Sequence, residues 1–211
     1  MRPLTLTCPK PLIKVGGVPI LEHIVRALPE EIDEVILVVR YLGGQIKAYC
    51  GETFCGKKVT YVEQGPEKGT AAALRCAQPF IRGRFLLAFA DDLLAKEDLE
   101  KLLSHPYALL VSTSETPERF GVVSLNTNGT LCGIVEKPDN PETNLINTGV
   151  CVIDEKIFDY EPEVKNGESY ATGMLTGLAQ EYPVAVVTAS FWQPVGYPEH
   201  IPIAEQLLSA R

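Results

Sequence analysis

The chain of 211 residues has no long apolar stretch. Its longest uncharged apolar run, Phe85-Leu86-Leu87-Ala88-Phe89-Ala90, falls far short of the ~20 residues that a bilayer helix needs, and no signal peptide is expected. A membrane is therefore not expected as a partner. Positive charge is also scarce: 27 acidic residues outweigh 19 basic ones, for a net charge of −8 spread along the chain. This balance argues against a nucleic acid or an anionic bilayer surface and means that any anionic ligand must be held by local cations. The six cysteines (Cys8, Cys50, Cys55, Cys76, Cys132, Cys151) lack paired CxxC spacing. A chain of this size does not depend on disulfides, so they read as reduced thiols and a cytoplasmic location is expected. Repeats, low-complexity tracts and long linkers are missing, and one domain over residues 1–211 is the economical expectation. No G-x-G-x-x-G fingerprint follows an apolar run, which disfavours a dinucleotide-dependent oxidoreductase.

What the sequence does have is alternation. Ile20, Leu21, Ile24, Val25 and Leu28 recur at helical spacing between Pro19 and Pro29, and Val35 to Val39 is a branched apolar run of the kind covered on both faces. Further strands are expected at 59–62, 85–90, 109–112, 145–153 and 184–188, and helices at 70–77, 97–103, 170–180 and 201–208. Asn128-Gly129 between Val122–Asn126 and Leu131–Val135 signals a hairpin. The fold class is thus α/β, a three-layer Rossmann-like mixed sheet, mostly parallel, with an antiparallel insertion in the second half.

Ligands of open α/β sheets bind beyond the carboxyl ends of strands. Asp91-Asp92 follows an apolar run, where a carboxylate can hold Mg²⁺ or merely cap the next helix. Gln64-Gly65-Pro66-Glu67-Lys68-Gly69-Thr70 leads from strand to helix, as a ring-contacting loop or as an ordinary turn. Glu136-Lys137 could meet sugar hydroxyls and a phosphate, or form an exposed pair. Asn147-Thr148-Gly149 lies inside a strand, where a close ligand or a β-bulge would explain it. The opening MRPLTLTCPKPL is rich in proline and carries Arg2 and Lys10, so it reads as an irregular loop.

Taken in order, MRPLTLTCPKPLIKVGGVPILEHIV, EQGPEKGTA, FADDLL, FGVVSLNTNGTLCGIVEKP and INTGV resemble the successive motifs of the sugar-1-phosphate nucleotidyltransferase family over nearly the whole chain. The resemblance implies attack of a sugar 1-phosphate on the α-phosphorus of a nucleoside triphosphate, expelling pyrophosphate with Mg²⁺ as cofactor. Carried over by position, Lys10 touches phosphate and Asp91 ligates Mg²⁺. Gln64, Gly69 and Thr70 bind the nucleotide, and Gly121, Glu136, Lys137 and Asn147 line the sugar-phosphate half. A homo-oligomer is compatible with this reading, and the sugar and base are not specified by it.

The sequence departs from the family pattern in two places. Met1 falls just after the position of the arginine that ends the family's glycine-rich loop, so the resemblance implies a first strand and loop encoded upstream. Pro194, in Trp192-Gln193-Pro194-Val195-Gly196, stands where the family has its second metal-ligating aspartate. Weak metal affinity is the expectation. Both departures also allow an inactive relative that binds sugar nucleotide or regulates a partner.

Overall fold

Backbone polar groups in the interior must pair, so the apolar runs form ladders wherever a partner strand is available. In the computed structural model, which describes residues 1–210, the chain forms two compact units. The first comprises Met1–Glu63, Phe89–Leu99 and the chain from Ser190 onward; the second comprises Gln64–Ala88 and Glu100–Ala189.

In the first unit, Glu34–Val39 pairs in parallel with Lys57–Glu63, whose other edge takes the short strand Thr53–Phe54. The helix Ile20–Ala27 turns Ile20, Leu21, Ile24 and Val25 inward, as the spacing predicts. Leu21 and Val25 pack with Val39, Ile46 and Val59, while Ile20 and Ile24 pack with Ile13, Val15, Leu93, Val195 and Ala204. A single helix thereby joins two apolar clusters. The proline-rich opening is more regular than expected, with single 3-10 turns at Leu4–Leu6 and Lys10–Leu12.

In the second unit, a sheet runs Leu131–Glu136, Gly121–Leu125, Leu145–Ile153, Ala108–Thr113, Ala185–Thr188, with Phe85–Leu87 paired to the far half of Leu145–Ile153. The Asn128-Gly129 hairpin forms, and the helix Thr70–Ala77 has its expected bounds. The mixed α/β class is as expected, but parallel pairing is confined to Glu34–Val39 with Lys57–Glu63 and Ala108–Thr113 with Ala185–Thr188. The other described strand pairs are antiparallel, because an apolar run reports burial on both faces and not strand direction.

Two further differences bear on function. The expected strand 85–90 stops at Leu87, and Ala90-Asp91 forms a turn before a second strand, Asp92–Leu94. The ladder's last pair is Leu87 with Cys151. Asp92–Leu94 instead pairs antiparallel with Trp192–Pro194. All six cysteines are unpaired, and no described helix is long and apolar enough to cross a membrane.

Candidate functional site

Lys10 begins a 3-10 turn, immediately after Pro9 has fixed the backbone in an extended conformation. Its Nζ forms an ion pair and hydrogen bond with Asp91 Oδ2, both side chains remaining about one-third exposed (28% and 32%). The two residues singled out for phosphate and metal, 81 positions apart, thus meet at one turn of the first unit. Asp91 is held there by its own backbone, since Val195 N–H donates to its carbonyl at 3.0 Å.

The neighbouring carboxylate is different. Asp92 is only 6% exposed and accepts a 2.9 Å hydrogen bond from Trp192 Nε1. Burial first, and then repulsion from Asp91, push its pKa up to about 7, against the opposing pull of Trp192 and Lys10. Pro194 lies directly opposite Asp92 in the strand pair and contributes a carbonyl, which accepts from His200 Nδ1 at 2.8 Å and from Gln193 Nε2 at 2.9 Å. Further along, fully buried Asp98 accepts from Ser190 N, Ser190 Oγ and Phe191 N at 2.6, 2.9 and 3.2 Å, fixing the chain just before Trp192.

Among the described residues no group of three or more His, Cys, Asp or Glu could hold a metal ion. Mg²⁺ does not need such a group, because one or two carboxylates together with substrate phosphates satisfy it. The partly exposed Asp91 therefore fits Mg²⁺ carried with a polyphosphate, whereas Asp92 is buried against Trp192.

The other seven sequence-derived residues belong to the second unit. Gln64 Nε2 donates to Glu67 O at 3.0 Å, closing the loop on itself, and Thr70 Oγ1 accepts from Ala171 N at 2.9 Å. Gly69 has φ +101, and a Cβ there would lie 2.1 Å from the Ser169 carbonyl oxygen, so glycine is required by protein packing alone. Asn147 accepts from Gly149 N at 2.7 Å within a register shift, which is the β-bulge alternative.

Glu136 ends its strand beside Gly121 and Thr172. A Cβ at Gly121 would lie 2.9 Å from Ile134 Cγ2 and 3.3 Å from Glu136 Oε2, so the glycine leaves the carboxylate its room. Burial raises the pKa of Glu136, which is 7% exposed; Lys137, at 3.6 Å, pulls it down and Glu163 pushes it up. For Lys137, burial is outweighed by the Tyr170 hydroxyl at 3.3 Å and by Glu136, leaving the ammonium pKa above its usual value. Thr172, 6% exposed, lies beside the Glu136 carboxylate and helps to lower its pKa, although its Oγ1 makes no hydrogen bond of full geometry.

Reading the sequence alone missed the bond between Asp92 and Trp192, together with Thr172, Tyr170, and the pair Glu163 and Lys165 near Glu136. Only the last pair had a local signal: Asn166-Gly167 is a hairpin dipeptide, and both residues adopt positive φ, 53° and 74°.

The family model for nucleotidyl transferases matches residues 1–209, and the chain belongs to that family. It is 34% identical to the bifunctional protein GlmU of Methanocaldococcus jannaschii over 99% of this chain and 51% of that one. It is 28% identical to the mannose-1-phosphate guanylyltransferase of Mycobacterium tuberculosis over 94% of this chain and 58% of that one. The chain thus spans about half the length of the curated relatives it matches. A crystal structure from Bacillus anthracis, assigned as a glucose-1-phosphate thymidylyltransferase in complex with a sucrose, superposes with a TM-score of 0.82 at 25% identity, over 98% of this chain and 89% of the other.

Proposed function

We propose that the chain transfers a nucleotidyl group from a nucleoside triphosphate to a sugar 1-phosphate, releasing pyrophosphate. The observation that carries this reading is the Lys10 ammonium on Asp91, a cation and a carboxylate converging at one turn. The attacking sugar phosphate is already an anion, so no general base is required. Stabilisation of the transition state rests on placing positive charge where negative charge crowds. Lys10 does this on the polyphosphate. Lys137 does so on the sugar phosphate, while Glu136 accepts hydrogen bonds from sugar hydroxyls with Thr172 beside it. The loop from Gln64 to Thr70 binds the nucleotide, and Asn147 lines the sugar-phosphate side. Asp91, with Asp92 behind it, would hold Mg²⁺, which supplies charge neutralisation between phosphate oxygens.

The test is a panel of nucleoside triphosphates against sugar 1-phosphates, read as pyrophosphate release. At least one pair should turn over, EDTA should abolish the rate, and half-saturation should need millimolar Mg²⁺ because the protein offers two carboxylates at most. Binding of both ligands without turnover at any Mg²⁺ concentration would refute the reading.

A further inference from the structure

The turn that ends the strand Leu131–Glu136 is strained. Lys137 has φ 45°, the left-handed region that a long side chain adopts only when its surroundings over-determine it. Those surroundings are present. Lys137 N donates to Phe120 O at 2.9 Å, which holds one side of the turn. The other side is held by a small hairpin, Glu163–Lys165 paired with Glu168–Tyr170 through the Asn166-Gly167 turn. Residues 163 and 165 share one face of their strand, and both use it on the same backbone: Glu163 Oε2 accepts from Glu136 N at 3.3 Å, while Lys165 Nζ donates to Glu136 O at 3.0 Å and to Lys137 O at 2.6 Å. Val164, between them, points away and is 71% exposed. The hairpin also supplies Tyr170, whose hydroxyl accepts from Lys137 Nζ and donates to Glu168 at 2.7 Å.

We propose that Lys165, assisted by Glu163, is a positioning residue that locks this left-handed turn and so sets the aim of the Glu136 carboxylate and the Lys137 ammonium. Neither residue touches substrate. An ammonium bridging two successive carbonyls favours the conformation in which both point the same way, and extended backbone at Lys137 would separate them. Loss of that bridge leaves the side chains of Glu136 and Lys137 present but free to swing, and a small misplacement of binding groups is enough to weaken recognition.

Resting on the proposed transfer reaction, the inference predicts a selective defect. Lys165→Met, which keeps the stem and removes the donors, should raise KM for the sugar 1-phosphate about tenfold or more while KM for the nucleoside triphosphate changes less than about twofold; Lys165→Arg should restore most of the loss. Amide hydrogen exchange at Glu136 and Lys137, which needs no substrate, should accelerate in Lys165→Met and, less strongly, in Glu163→Gln. If the wild-type chain turns over no substrate pair, the transfer reading fails and exchange alone decides whether the lock exists. Unchanged exchange in both variants overturns the proposal, and so does faster exchange with an unchanged KM for the sugar 1-phosphate. Should Lys165→Met fail to fold, Glu163→Gln carries the comparison, with the wild type and Lys165→Arg as references in which the lock is kept.

Discussion

At the scale of single residues, two carboxylates, Asp92 in the first unit and Glu136 in the second, lie in surroundings that disfavour their charge, and at Glu136 this trades stability for function. Its pKa is raised by burial first, so the folded protein holds that proton more tightly than the unfolded chain does. The stabilising contribution is fully present below the ordinary glutamate value of about 4.5 and is lost as pH rises through the elevated one. Glu136→Gln should therefore raise the melting temperature at pH 8, with the gain shrinking toward pH 4, while weakening sugar 1-phosphate binding at every pH. Thermal melts across that range check the sign; a variant less stable than wild type at pH 8 would show that the charged form is well solvated.

At the scale of elements, the longer and locally signalled pieces were legible in the sequence. The helix Thr70–Ala77 and the strand Leu145–Ile153 have the bounds that periodicity and punctuation imply, and Asn128-Gly129 marked its hairpin. The short strands Asp92–Leu94 and Trp192–Pro194 were not legible, because three residues carry no period and the pair exists only through a partner 100 positions away. That pair stands beside Asp91, and Asp98 anchors its second strand. Asp98→Ala leaves the Ser190 and Phe191 amides without their acceptor and should cost about 1–3 kcal/mol in urea denaturation. It should also lower activity through Asp91. A variant with wild-type stability would mean that water replaces the carboxylate.

At the scale of the whole molecule, what could be read from the sequence depended on whether a residue's role is local. Lys10 and Asp91 stood out because a lysine between prolines and an aspartate after an apolar run are unusual in themselves, and they do meet. Thr172, Tyr170 and Lys165 look ordinary in sequence and gain their meaning from chain segments 28 to 51 residues away, Lys165 from Glu136 and Lys137, Thr172 from Gly121. Gly69, singled out for a nucleotide, also has a purely architectural reason to be glycine. Under the proposed reaction a protein of net charge −8 must hold two phosphorylated substrates with few cations, so each cation that meets a phosphate matters more than it would on a basic surface. The most direct measurement is single-turnover pyrophosphate release by Lys10→Met at saturating substrates. A rate lower by about 100-fold or more, with an unchanged melting temperature, is expected if Lys10 bears on the transferring phosphate; a rate within about twofold of wild type would contradict it.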